Sequence, residues 1–413
     1  MHRRATALFV VLAALLGACG PHAAASEPTS EPAAVLAERP TATPSSTASV
    51  AAPAAPVLAA SVPAAPAVSG TPAASTMVVS APSTGVPAAR PSVTPRSSAS
   101  SSAPAPSPSP SPAPTAAARS PIALGAYVSG APWDPARLDA FAALVGAAPR
   151  IVMWYQDWAH EGVREFDARK MDAVAARGAM PLLTWEPHNY TSGVDQPRYA
   201  LRTIVRGDHD PYLRAFAAAA AAWGRPFYLR FAHEMNGDWN SWSPGVNGNT
   251  SAEYRLAWQH VHRIFDEAGA TNVRWVWSPN VANPTTTPFR DVYPGDAFVD
   301  WIALDGYNGG TALPWGGWTS LVDVFAASYD ALVALSPRPM LVAETASAEA
   351  GGDKAAWIRT GLVETIPSRF PRVRGVVWFE ERKETDWRVA SSAASLDAFR
   401  AAAASELYRG VLP

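Results

Sequence analysis

The sequence predicts a (β/α)8 barrel preceded by a long unstructured leader, and three observations carry that expectation. Past residue 120 the chain holds eight apolar runs of strand length. Helical patterns lie between them, and the runs read as continuously apolar rather than alternating. Strands of that kind belong to a parallel sheet covered on both faces. Eight such units in roughly 295 residues suit one closed barrel.

The runs are IALGAY (122–127), RIVMWY (150–155), MPLLTW (180–185), FYLRF (227–231), VRWVW (273–277), VDWIAL (299–304), PMLVAE (339–344) and GVVWF (375–379). Helical periodicity is clearest over 210–223, 252–268 and 321–335. A doubly wound open sheet is the main rival. It needs a Gly-rich phosphate turn after the first strand, and GAYVSGAPW lacks that spacing.

The first 118 residues have a different composition. All 16 tryptophans lie at Trp133 or later, and no Phe, Tyr or Trp occurs between Phe9 and Tyr127. A stretch built from Ala, Pro, Ser and Thr buries too little apolar surface to offset its ordering entropy, so 19–118 reads as a disordered linker. Its APAPSPSPSPAPT run favours polyproline II. Ahead of it, MHRR followed by ALFVVLAALL reads as an export signal over 1–18, too short to be a permanent span. Leu16-Gly17-Ala18-Cys19 matches a bacterial lipobox, and Cys19 is the only cysteine in the chain. The expected product is an exported, lipid-anchored domain (119–413) on the outer side of a membrane, without disulfides and monomeric. A formal net charge of −2 with no basic block gives no electrostatic basis for nucleic-acid binding.

In such barrels the chemistry sits where the strands end. The residues that follow the predicted strands are rich in carboxylates and aromatics: Glu186, His188 and Tyr190; His233, Glu234, Asn236 and Trp239; Ser278 and Asn280; Asp305 and Tyr307; Glu344; Glu380 and Glu381, with Trp378 inside the last strand. Sugar rings stack on aromatic faces while their hydroxyls need fixed polar partners. Cleaving a glycosidic bond then needs two carboxyl groups, one protonated and one ionised. Zinc is excluded in the motif sense, because HEMNG places Gly237 where HExxH needs its second histidine. No metal or cofactor is expected, and no GxSxG nucleophile elbow is present. Spacing alone does not choose the pair among Glu186, Glu234, Asp305, Glu344 and Glu380. Arg230 shares strand parity with Glu234, which places it near the acid.

The segments LRFAHEMNGDW, NVRWVWSPN, YPGDAFVDWIALDGYN and MLVAETAS together resemble glycoside hydrolase family 26, in order and over essentially all of 122–400. The resemblance implies a clan A barrel and hydrolysis with retained anomeric configuration. It implies Glu234 as acid/base and Glu344 as nucleophile, the latter held by Tyr307. His233, Trp239 and Trp387 take the place of residues lining the cleaved-sugar subsite; Asn236, Trp378, Arg230 and His188 join them as candidate substrate-binding residues. β-1,4-Mannan is the first expected substrate, ahead of mixed-linkage β-glucan and β-1,3-xylan. Asn240 stands where mannanases carry an aromatic. A non-catalytic glycan binder on the same fold is the reading from another class. Retention of both Glu234 and Glu344 argues against it.

Overall fold

A computed structural model describes residues 121–413. The expected signal segment 1–18, Cys19 and the linker 19–118 lie outside the described residues. Eight parallel strands close in sequence order: β1 (Ala123–Val128), β2 (Ile151–Asp157), β3 (Met180–Glu186), β4 (Phe227–Phe231), β5 (Val273–Trp277), β6 (Trp301–Asn308), β7 (Met340–Ser347) and β8 (Val373–Glu380). This is the expected (β/α)8, or TIM-type, barrel.

Helices cover the sheet, and local chemistry sets their ends. Asp210–Trp223 begins with Pro211 in its first turn and stops at Gly224, whose φ of 71° is left-handed. Ser251–Glu267 opens with a capping box, in which Glu253 N donates to Thr250 Oγ1 and Thr250 N donates to Glu253 Oε2. That reciprocal pair contributes about 1 kcal/mol and fixes where the long loop after β4 ends. One crossover departs from expectation: between β5 and β6 the only α-helix is the four-residue Phe289–Val292.

Side-chain alternation divides the core into two layers. Ile151, Met153, Leu182, Val276, Leu341 and Val377 fill the barrel interior. Trp154, Trp185, Phe216, Trp258, Trp378 and Phe399 pack between sheet and helices. Successive strand residues point to opposite faces, so neighbours such as Val377 and Trp378 fall in different layers.

Two of the irregularities in this alternation lie beside the strand ends. Leu304 of β6 pairs with Val342 of β7, but Asp305 pairs with Glu344. On the other side, Val342 pairs with Val376 and Thr345 with Trp378. Between residues 342 and 345 strand β7 therefore holds one residue more than either neighbour, a bulge at Ala343–Glu344. Ala343 belongs to the inner layer, and the bulge lets the next side chain face inward as well. After β4, Ala232 and Glu234 adopt left-handed φ values of 45° and 49°. Each costs a non-glycine residue about 1 kcal/mol. The turn they form brings His233 and Glu234 to the barrel mouth together.

Candidate active site

Above the inner core lies an aromatic layer. Tyr127 stacks on Phe379 with centroids 4.7 Å apart, and meets Tyr155 edge-on at 5.2 Å. The Arg230 guanidinium lies 5.9 Å from the Tyr155 ring centre and is fully buried. It donates to Asp305 Oδ1 at 3.1 Å and to Glu344 Oε1. Ser278 Oγ also donates to Asp305. Burial opposes the charge on Arg230, but Asp305 and Glu344 together hold its pKa above the ordinary value. Burial pushes Asp305 upward, against the pull of Arg230.

Glu344 is fixed at both oxygens, because Tyr307 OH donates to Oε2 at 2.5 Å. The Tyr307 phenol is held well above its usual range, first by burial and then by the charge of Glu344, so it remains a donor. Tyr155, buried on the same carboxylate, is raised for the same reasons.

Glu234 sits in a different environment. Its backbone N–H donates to Ser278 O at 2.7 Å, which ties the left-handed turn to β5. Its carboxyl accepts from Trp239 Nε1 and from Asn280 Nδ2, each at 2.7 Å. Burial, reinforced by the charge of Glu344, pushes its pKa up to about 7. Gly237 is required beneath Trp239, since a Cβ there would lie 2.4 Å from the indole ring.

His233 lies between the two glutamates' surroundings. Burial and the charge of Arg230 drive its pKa well below 6.5, so the imidazole is neutral. Its approaches of 3.8 Å to Glu186 and 4.0 Å to Glu344 are therefore not ion pairs, and its buried Nδ1 has no hydrogen-bond partner. Trp387 packs 5.0 Å from Tyr307.

Four candidate residues occupy other positions than expected. Arg230 is completely enclosed and donates to Glu344 and Asp305, so it orients carboxylates and is not placed to meet a sugar. Trp378 is fully buried in the outer layer, 5.3 Å from Phe399, because β8 turns Val377 and Phe379 inward and this residue outward. It does not line the site. Asn236 exchanges two hydrogen bonds with the backbone of Asn280 and positions that residue. His188 pairs with Glu186 at 3.2 Å and packs on Trp242, one layer behind His233. Glu380 shares the outward parity of Trp378 and accepts from Val389 N, whereas Glu381 faces the mouth side and accepts from Ser129 Oγ. Sequence reasoning assigned no role to Asn280 or Tyr155. The first follows strand β5 among the polar residues, but its partner is 46 positions away. Among the described residues no group of three or more His, Cys, Asp and Glu side chains is arranged to hold a metal. A depression of about 410 Å³ lies at the foot of the barrel, between Phe141, Phe399 and Tyr408, far from these carboxylates.

Comparison with known proteins gives this geometry a family. The profile of glycosyl hydrolase family 26 matches residues 220–365, the stretch that carries both Glu234 and Glu344. Endoglucanase H of Acetivibrio thermocellus is 39% identical over 289 residues, covering 68% of this chain and 30% of that protein. The chain belongs to glycosyl hydrolase family 26. A mannan endo-1,4-beta-mannosidase of Bacillus subtilis is 26% identical over 162 residues, 37% of this chain and 39% of that one. This family 26 chain thus spans well under half the length of these relatives. Its fold is shared with a modular endo-beta-1,4-mannanase from Cellulomonas fimi, at a TM-score of 0.53 and 19% identity over 70% of this chain and 71% of the other.

Proposed function

We propose that this glycoside hydrolase is a retaining endo-glycanase working by double displacement, with Glu344 as nucleophile and Glu234 as acid/base. The observation that carries the reading is the contrast between the two carboxyl groups. Glu344 has both oxygens held by a guanidinium and a phenol, while Glu234 is kept near pH 7 by burial and by its neighbour's charge. A carboxylate oxygen of Glu344 attacks the anomeric carbon as Glu234 gives its proton to the departing glycosidic oxygen. The resulting ester removes the Glu344 charge, so the upward push on Glu234 relaxes. Glu234, now ionised, takes a proton from water as that water attacks the same carbon and releases Glu344.

Mixed-linkage β-glucan is the preferred substrate in this reading, which reverses the order expected from sequence. The reason is the 39% identity to an endoglucanase against 26% to the Bacillus mannosidase. Asn240 adds to it: its side chain donates to His233 O instead of offering an aromatic face. Initial rates on barley β-glucan, glucomannan and galactomannan decide the substrate, with the glucan expected fastest. Glu344→Ala should lower turnover by several orders of magnitude with the fold retained. Near-normal turnover in that variant would refute the mechanism.

The N-terminal segment supports a second proposal, that Cys19 carries lipid and tethers the enzyme to the outer face of a membrane. One acyl chain binds only marginally, so stable anchoring needs the several chains of a full lipoprotein. Cys19→Ser should release the protein or leave it unprocessed. A soluble native protein whose mature N-terminus lies elsewhere refutes the anchor.

A further inference from the structure

Behind the site, a buried cation grips the backbone of the loop that carries Trp387. Lys354, 1% exposed, donates from Nζ to Arg388 O at 2.8 Å, Trp387 O at 3.2 Å and Ser391 Oγ at 2.8 Å, with Asp386 O at 3.4 Å. The same turn is held by Trp378 Nε1, which donates to Trp387 O at 3.1 Å, and by Glu380, which accepts from Val389 N at 2.8 Å. Its base is closed by Trp387 N donating to Glu381 O. The front of the turn presents the Trp387 ring to Tyr307, whose hydroxyl holds Glu344. A lysine gives up solvation and side-chain freedom to be buried in this way. Three carbonyls and a hydroxyl converging on one ammonium use every donor it has.

We propose that Lys354 is a positioning residue: its charge clamps the 386–391 turn and so sets Trp387 against Tyr307 at the sugar subsite beside the nucleophile. The proposal rests on the reading above in which Trp387 meets the sugar. The groups facing Lys354 are Glu349 from the loop after β7, Glu380 from β8, and Asp386 and Arg388 from the turn. Burial lowers Lys354 to about 8, with Arg388 acting in the same direction and Glu349, Asp386 and Glu380 acting against it. Glu380, raised by burial to about 7, is already ionised by then, and His233 is neutral throughout. Above pH 8 the clamp therefore loses its charge and one of its three donors.

The test uses the full chain carrying Glu234→Gln, which removes the acid's own titration. Binding of cellohexaose, a mixed-linkage hexasaccharide and mannohexaose is measured by calorimetry from pH 7 to 9.5. Hydrogen exchange of the 381–391 segment is measured without sugar and corrected for the intrinsic effect of pH. Affinity in this background should fall several-fold across that range. Adding Lys354→Met should weaken binding about tenfold at pH 7, corresponding to one charge-assisted hydrogen bond. It should also abolish the pH dependence and speed exchange at 386–389. Calorimetric stoichiometry separates this from a loss of folded protein. Unchanged affinity and exchange in Lys354→Met, or an affinity flat in pH before that change is made, overturns the proposal. Should Lys354→Met fail to fold, the pH series decides alone. If no hexasaccharide binds even at pH 7, the substrate reading fails while the exchange data still judge Lys354.

Discussion

Asn280→Leu isolates one of the two donors that hold Glu234. The amide Nδ2 lies 2.7 Å from Oε1, and leucine fills similar space without leaving room for a replacement water. A hydrogen bond to an ionised group contributes about 1.5–3 kcal/mol. Part of it survives protonation, because the amide can also donate to the carbonyl oxygen of the neutral acid. The difference between the two states is then about 1–1.5 kcal/mol, or about one pH unit. The bond favours the carboxylate, so Asn280 pulls Glu234 down against burial and the charge of Glu344. Losing it lets the pKa rise from about 7 towards about 8. In its proposed role Glu234 is protonated when the leaving group departs, so the alkaline limb of kcat/KM should move to higher pH by about one unit. An aryl glycoside with a dinitrophenol leaving group provides the control, since that group departs without a proton and its limb should not respond. An unmoved limb on β-glucan, or one displaced towards acid, refutes the assignment of Glu234 as acid held by Asn280.

Three further outcomes follow from the same contacts. The folded protein holds the Glu234 proton more tightly than the unfolded chain does, so stability from this group is complete below pH 4.5 and is lost as pH rises to about 7. Glu234→Gln should therefore raise stability by up to about 3 kcal/mol at pH 8 and hardly at all at pH 4, read from melting curves at both. Gly237→Ala must displace the Trp239 ring and break its bond to Glu234, so kcat should fall about tenfold; Trp239→Phe, which keeps an aromatic ring but loses the N–H donor, should reproduce that fall. Arg230→Met strands Asp305 and Glu344 without their cation and should cost about 3–5 kcal/mol in denaturant unfolding at pH 7, less at pH 4.5, where Asp305, raised by burial, can take up a proton.

The barrel was legible because strands buried on both faces leave apolar runs, and each of the eight runs overlaps an observed strand. Their ends were less so. Strands β6 and β7 extend to Asn308 and Ser347, past the predicted ends at 304 and 344, because the ladder continues through polar residues that line the mouth. The carboxylates were found because strand ends concentrate them, but the side each residue faces depends on parity. Trp378 looked like a sugar platform from its neighbours and is excluded by its odd–even position against Val377 and Phe379. Strand parity places Arg230 near the acid only if β4 stays regular to residue 234. The left-handed turn at Ala232 and Glu234 breaks that regularity and leaves the guanidinium with Glu344. Asn280 and Lys354 act through contacts 46 and 34 positions away, which local pattern does not encode.

The bulge in β7 means that the proposed nucleophile depends on backbone shape as well as on residue identity. In an unbroken strand Ala343 would take the inward place after Val342, and Glu344 would turn into the shell between sheet and helices; the bulge instead sets Glu344 opposite Asp305 and Thr345 opposite Trp378. Deleting Ala343 would leave Glu344 directly after Val342, still opposite Asp305 and facing the mouth. Straightening the strand with both residues kept would turn the carboxylate away without altering a single side chain. Along this strand the extra residue can be spared, but while it is present the kink that absorbs it cannot.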